Sequence, residues 1–388
     1  MKKFNILFFT SGRSDFDLLL PIIEKFKKKK SIKLTTIVTG SHLSKKHGLT
    51  IGYIKKKNLQ NIKKIKIDCS NVSEKNLPII FGKAQLLYGK YFAAAKGKIH
   101  ISVILGDRYE ALSFAVASFF SNTPIAHIHG GEITGGAKDD AIRHAITKFS
   151  SLHFVSNEEH KKRVLKLGEN PKNVFNCGLL GYENLSKIKF IDKKKISKDL
   201  KISFDKKTIL VSYHSVTTVS RRENIFQFQQ IIEALNYYKN FNIIFTAPNI
   251  DPGNNDILNM IKKFIVKNKN STFFKSLGQE LFFSLAKNCN VFIGNSSSGI
   301  LEIPFLNVPV LNIGNRQAGR FQFAKILNIN PNKKIIIKNI NNIINQKKNK
   351  KILKSKLRKN TSTLIVKNII KKLNDRRYSN LKNKIFFD

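Results

Sequence analysis

Two stretches of the chain concentrate groups that could handle protons. Gly106-Asp107-Arg108-Tyr109-Glu110 sets a carboxylate beside a guanidinium. His129-Gly130-Gly131-Glu132 runs on through Thr134-Gly135-Gly136-Ala137-Lys138 to Asp139-Asp140. Carboxylates whose basicity is tuned by burial and neighbours act as general acids and bases. A second group of residues suits phosphate. Gly294-Asn295-Ser296-Ser297-Ser298-Gly299 lies between an apolar run and a helical stretch, and Arg316 follows the next apolar run. Glycine admits close backbone approach, and serine hydroxyls with free amides at a helix start attract anions. Glu302 could accept hydrogen bonds from ribose hydroxyls. His214 could contact a phosphate or protonate a leaving group.

Each motif also has a purely structural explanation. Serines cap helices, so Ser296 and Ser297 could be an ordinary cap. Asp107 and Arg108 could be a local ion pair at a helix start, where acids are favoured. Asp139 or Asp140 starts a helix with Ile142, Ala145, Ile146 and Phe149 on its apolar face, and Arg143 and His144 lie within reach at i+3 or i+4. A capped helix explains one of these aspartates, but not Glu132 on a glycine loop as well.

The elements that must position these groups read as strand, loop, helix, repeated. Apolar runs at 4–9, 34–38, 101–105, 124–128, 152–155 and 174–176 predict six strands in the first half. Runs at 208–213, 243–246, 291–293 and 309–313 predict four in the second. Strands alternating with helices imply parallel sheets covered on both faces. Arg13, Asp107, Arg108, Glu132, His214, Asn249, Ser296 and Arg316 all directly follow a predicted strand, which is where open α/β sheets bind ligands. Motifs from both halves are therefore expected to open onto one cleft. The expected limits are a first domain over 1–185, a second over 186–361, and a tail or helix over 362–388 that could cross the domains.

Composition narrows the function classes. The chain is 41% hydrophobic and 24% charged over 388 residues, enough for sizeable cores. No apolar run reaches membrane-spanning length, and the short run after Lys2-Lys3 lacks a small-residue cleavage site. Cys69, Cys177 and Cys289 are widely separated, which argues against a disulfide framework and makes the cytoplasm the natural compartment. The formal charge of +45 suggests nucleic acid or an anionic surface. The excess is mostly lysine spread along the whole chain, with no zinc finger or RNP motif, so nucleic-acid binding is not expected. Neither is a metal site: His127 and His129 would point to opposite faces of one strand, and His153 belongs to the next. The dinucleotide glycine fingerprint is missing after the first strand, and no P-loop is present.

Together these segments resemble the hydrolysing UDP-N-acetylglucosamine 2-epimerases of sialic and legionaminic acid biosynthesis. The resemblance is carried by Ser11-Gly12-Arg13, Gly106–Glu110, the block from His127 to Lys148, and His214 with Val216-Thr217-Thr218. It continues through Pro248-Asn249-Ile250-Asp251, Gly294–Gly299 and Gly314–Arg320, in family order. One departure is Ser215, where close relatives carry proline after the histidine.

The resemblance implies an α/β GT-B-like fold, two Rossmann-like doubly wound domains with the sugar nucleotide between them. It implies conversion of UDP-N-acetylglucosamine and water to N-acetylmannosamine and UDP, through loss of the C2 proton and a 2-acetamidoglucal. Arg13, Asn249, Ser296, Ser297, Glu302 and Arg316 would contact the uridine diphosphate, with Arg108 and His214 near the diphosphate. Asp107, Glu132, Asp139 and Asp140 are the proton-handling candidates, Glu132 and Asp107 at the reacting carbons and Asp140 as a further acid/base or orienting group. No cofactor is needed, and a homo-oligomer, dimer or tetramer, is expected. Family members also act on 2,4-diacetamido-trideoxy or GDP-linked sugars, and the motifs do not read the base or the C4 and C6 substituents.

Overall fold

The structure is a computed structural model that describes residues 3–46, 48–69, 72–345, 357–376 and 378–388. It divides into two compact units. The first takes in Met1–Glu132, Asp139–Asn184 and Leu357–Asp388; the second takes in Ile133–Lys138 and Leu185–Lys356.

In the first unit, β1 (Phe4–Thr10) leads to α1 (Arg13–Lys27) and β2 (Ile32–Val38), then α2 (Ile51–Lys55), β3 (Ile62–Lys64) and α3 (Leu77–Ala95). Next come β4 (Ile101–Leu105), α4 (Tyr109–Phe120), β5 (Ile125–Ile128), α5 (Asp139–Phe149), β6 (Leu152–Val155), α6 (Glu158–Lys166) and β7 (Val174–Asn176). The strands form one parallel sheet in the order β3-β2-β1-β4-β5-β6-β7.

After α7 (Leu180–Lys187) and α8 (Lys193–Leu200), the second unit alternates β8 (Thr208–Ser212), α9 (Arg221–Leu235), β9 (Asn242–Thr246), α10 (Asn254–Lys267) and β10 (Ser271–Phe274). It goes on with α11 (Gln279–Lys287), β11 (Val291–Gly294), α12 (Ser297–Leu301), β12 (Val310–Ile313), β13 (Leu327–Ile329) and α13 (Lys333–Asn345). Its parallel sheet runs β10-β9-β8-β11-β12-β13.

Both sheets reverse their winding once, at β1/β4 and at β8/β11. A doubly wound sheet leaves its ligand crevice at that reversal, outside the carboxyl ends of the two strands. Thr10–Arg13 and Asp107-Arg108 flank the first reversal; His214 and Asn295-Ser296 flank the second.

The central strands follow the continuous apolar runs, because both of their faces are covered. Ile101, Val103 and Leu105 join one apolar cluster of the first sheet with Phe16, Leu19, Ile22 and Phe26 of α1. Ile104 joins another with Tyr88, Phe92 and Phe114. The additional strands β3, β10 and β13 are edge strands, mostly half-buried or exposed, and β3 and β13 are only three residues long, so no unbroken apolar run announces them. The tail beyond 357 belongs to the first unit. α14 (Thr361–Asn374) sets Ile365, Val366, Ile369 and Leu373 into the core beside α1.

Several histidines are buried beneath this framework. His42 is fully buried between the Thr10 and Thr50 hydroxyls, at 2.9 and 2.7 Å. Burial pushes its pKa down to about 4, and that of His127 down to about 3. In the unfolded chain both protonate near the ordinary value, so the unfolded state binds more protons as pH falls below about 6.5. Stability is retained above that pH and declines as acid is added, by roughly 3 kcal/mol for His42 down to pH 4 and roughly 5 kcal/mol for His127 down to pH 3. Urea unfolding at pH 7.5 and pH 5 should show a markedly lower midpoint at pH 5 for the wild type, and a smaller drop for His42→Gln.

Candidate functional site

In the first unit the candidate acids gather around one buried cation. Arg143, on the second turn of α5, is 1% exposed. Its Nη1 donates to the Glu132 carbonyl at 2.9 Å and to Asp140 Oδ1 at 3.2 Å, and its Nη2 pairs with Asp107 Oδ2. Burial opposes the charge, but the carboxylates of Asp107, Glu132 and Asp140 hold the guanidinium pKa above its ordinary value. Asp107 follows β4 and Asp140 opens α5, so the arginine joins residues from two neighbouring crossovers.

Glu132 is itself 1% exposed, and its Oε1 lies 3.4 Å from His129 Nδ1. β5 ends at Ile128, so His129 is a loop residue, with φ +67 in the left-handed region. The turn it begins carries the chain to Glu132. His127 braces the layer beneath. Its Nε2 lies 2.9 Å from the Gly106 carbonyl, an atom that can only accept, so Nε2 carries the proton. Its Nδ1 lies 3.1 Å from the Thr147 hydroxyl.

Asp139 and Asp140 occupy the first turn of α5, where negative charge is favoured. Asp140 Oδ2 lies 3.6 Å from His144 Nε2. Arg108 pairs with the buried Glu110 at 3.2 Å. Arg13 lies 3.5 Å from Asp17 and sits over the Tyr53 ring at 4.5 Å. The amides of Ser11 and Gly12 donate to the Asp15 carboxylate at 2.8 and 3.0 Å, so a carboxylate of the chain already occupies this helix start.

In the second unit the organiser is Asn295, which is fully buried. Its Oδ1 accepts the His214 backbone N–H at 2.7 Å and its Nδ2 donates to the His214 carbonyl at 2.8 Å. Its own carbonyl accepts Arg316 Nη1 at 3.2 Å and Gln317 Nε2 at 2.9 Å. The Asn249 backbone N–H donates to His214 Nδ1 at 2.9 Å. That bond leaves the proton on Nε2 of the neutral ring. Burial first, and the nearby Arg316 charge second, push His214 well below the usual histidine range. The ring is therefore a neutral donor through Nε2–H.

Ser296 caps α12 with extended backbone and Ser297 opens the helix. The helix is only five residues long, so Glu302 stands at its end rather than further along a longer helix. Gly294, at φ +134, lies so close to the Ser212 carbonyl that a Cβ would collide with it. Arg316 is 6% exposed, and its Nε makes no hydrogen bond among the described residues.

The glycine loop belongs to this unit for part of its length. The chain leaves the first unit after Glu132 and rejoins it at Asp139. Gly135 N–H donates to the Ala318 carbonyl at 2.8 Å and Lys138 N–H to Thr217 Oγ1 at 2.9 Å. A Cβ at Gly136 would stand 2.5 Å from Arg316 Cα, so only glycine fits.

The structure thus brings Asp107, Glu132 and Asp140 together through Arg143, and His214, Asn249, Ser296 and Arg316 around Asn295. Arg143 and Asn295 were visible in the sequence only as a local partner and a motif member. Among the described residues no three His, Cys, Asp or Glu side chains are grouped as a metal would need, and no helix is long and apolar enough to cross a membrane.

The structure is a pair of doubly wound parallel sheets whose strand ends carry arginine, serine and carboxylate side chains, and comparison with known proteins assigns the family. The family model for UDP-N-acetylglucosamine 2-epimerases matches residues 24–370, and the chain belongs to that family. A Campylobacter jejuni protein named GDP/UDP-N,N'-diacetylbacillosamine 2-epimerase (hydrolyzing) is 37% identical over 328 residues, 84% of each chain. The Escherichia coli polysialic acid biosynthesis protein P7 is 35% identical over 343 residues, 88% of this chain and 86% of its own. The enzyme is of the hydrolysing sugar-nucleotide 2-epimerase type. Its fold is GT-B-like, similar to the Neisseria meningitidis UDP-GlcNAc 2-epimerase bound to UDP-GlcNAc, with a TM-score of 0.75 at 17% identity, covering 95% of this chain and 100% of that one.

Replacing Asn295 by alanine strands two buried backbone groups of residue 214. At about 1–3 kcal/mol for each unsatisfied group, Asn295→Ala should cost about 2–6 kcal/mol in denaturant unfolding. An Asn295→Asp variant keeps the acceptor for the His214 N–H but sets a buried carboxylate oxygen against the His214 carbonyl, so it should not recover the loss.

Proposed function

We propose that the chain hydrolyses UDP-N-acetylglucosamine to N-acetylmannosamine and UDP, in the biosynthesis of a sialic-acid-type nonulosonate. The observation that carries the reading is the cluster of Asp107, Glu132 and Asp140 about a buried arginine, in a member of this family. Removing a C2 proton and returning one need more than one carboxylate near the same carbon, and the buried arginine holds three carboxylate residues about one point.

A carboxylate takes the C2 proton, the C–H electrons form the C1–C2 double bond, and the C1–O bond breaks to release UDP. Water then adds its hydroxyl at C1 of the 2-acetamidoglucal, and a carboxylic acid returns a proton to C2 from the opposite face. Glu132 and Asp107 act at the reacting carbons, with Asp140, beside Asp139, as a further acid/base or orienting group. The hexose goes to the acids, and the uridine diphosphate goes to Arg13, Arg108, Asn249, Ser296, Ser297, Glu302 and Arg316. His214 Nε2–H donates to the diphosphate oxygen that gains charge as the bond breaks.

A second reading keeps the reaction and changes the sugar. The Campylobacter jejuni relative and a Legionella pneumophila protein, 30% identical over 344 residues (88% of this chain and 89% of its own), are both named for N,N'-diacetylbacillosamine. That names UDP- or GDP-linked 2,4-diacetamido-trideoxyhexose as the competing substrate.

Turnover in heavy water against UDP-N-acetylglucosamine, the UDP-linked 2,4-diacetamido sugar and a GDP-linked sugar separates the readings. The preferred substrate should release its nucleoside diphosphate and leave deuterium at C2; a released sugar with protium at C2 would rule out the mechanism. Glu132→Gln should lose turnover by about 10²–10⁴-fold while still binding UDP. Arg316→Ala should instead weaken UDP binding, by about tenfold or more for a lost charge-assisted hydrogen bond, as read by calorimetry.

A further inference from the structure

A second buried charge cluster lies in the first unit, at the opposite end of α5 from the acids. Glu169, between α6 and β7, is 3% exposed. Its Oε2 lies 2.8 Å from His153 Nε2, and its Oε1 lies 3.1 Å from Lys148 Nζ. Lys384 Nζ closes the cluster on Oε2 and also donates to the Ser150 carbonyl. Burial opposes the Glu169 charge, but His153 and Lys384 hold its carboxyl below the usual range; burial lowers the Lys384 ammonium.

The rest of the 381–387 segment is tied to the same corner. The Ser151 hydroxyl donates to the Leu381 carbonyl at 2.6 Å. The Phe387 N–H donates to the Gly168 carbonyl at 3.0 Å, and Lys148 Nζ stands 5.1 Å from the centre of the Phe386 ring. Lys148 and Ser150 are the last turn and the exit of α5. Asp139, Asp140 and Arg143 are its first two turns. A rigid helix held at its far end cannot pivot, and its near end carries the groups whose placement matters.

We propose that Lys384, through Glu169 and Lys148, is a positioning residue that sets the orientation of α5 and so of Asp140 and Arg143. The proposal rests on the catalytic reading of those two residues. Removing the strap lets α5 shift by fractions of an ångström, which slows the chemical step and leaves the diphosphate-holding residues of the second unit untouched. A cavity of about 360 Å³, lined in part by Ser151, Glu169, Lys172, Lys372 and Lys384, lies beside the cluster. It has room for a small ammonium ion in place of a truncated lysine.

The test uses Lys384→Ala in the full chain, well below its melting temperature. It should lower kcat about tenfold with KM and UDP affinity unchanged. Ethylammonium should restore part of the rate to Lys384→Ala and none to Glu132→Gln. Amide exchange over 139–149 should accelerate. Phe386→Ala, at a side chain exposed enough to spare folding, should show the same changes more weakly. Unchanged kcat and unchanged exchange in both variants would overturn the proposal, as would a rate loss matched by an equal loss of UDP affinity. If the wild type fails to turn over any sugar nucleotide, the functional reading falls, and the exchange result alone still decides whether the segment holds α5.

Discussion

A guanidinium that is almost entirely out of water can exist only where carboxylates compensate its lost hydration. Arg143 is that group, and the constraint runs in both directions. The arginine needs Asp107 and Asp140 within bonding distance and the Glu132 carbonyl to take another proton. The acids in turn are drawn to one point although they come from the β4–α4 turn, the glycine loop and the start of α5. Any shift of β4 against β5 would leave a buried charge without its partners, at a cost of several kcal/mol. The sheet register and the acid cluster are therefore mutually dependent. The three carboxylates are held in different ways: Asp107 and Asp140 bond the guanidinium itself, and Glu132 Oε1 lies beside His129.

The second unit solves a related problem without a net charge at its centre. Asn295 matches both backbone groups of His214 with one amide, and its own carbonyl is shared by Arg316 and Gln317. Every one of these bonds is buried, so the turn after β8, the turn after β11 and the turn after β12 are locked to each other. That arrangement also depends on two glycines. Gly294 lets β11 press against the end of β8, and Gly136 lets the loop from residue 133 run against Arg316.

Much of this was legible in the sequence, for reasons that differ by element. β4, β8 and β11 are buried on both faces and show as unbroken apolar runs, and the candidate residues fall at their carboxyl ends. β3 and β13 have few buried residues and leave no such trace. The Arg143–Asp140 pair is a one-turn relation on a helix and could be read directly. The Arg143–Asp107 pair spans 36 residues and exists only because β4 and β5 are neighbours in the sheet. The Asn295–His214 pair spans 81 residues and depends on β8 lying beside β11 in the same way. Glycine spacing showed a tight loop, but not that its middle would belong to the second unit.

The charge of the chain takes on a specific meaning beside these two centres. Arg143 is committed to its carboxylates, whereas Arg316 turns only part of its guanidinium to the Asn295 carbonyl, and its Nε makes no hydrogen bond among the described residues. His214 is neutral partly because Arg316 repels its proton. An anion bound beside Arg316 reverses that sign: it screens the arginine and adds negative charge of its own, and the histidine's affinity for a proton rises. Toward an anion in that position the neutral ring presents a hydrogen-bond donor, its Nε2–H, rather than a proton to give away. The bond from the Asn249 amide occupies the Nδ1 lone pair, so the ring has no open site for a second proton and its one proton sits on Nε2.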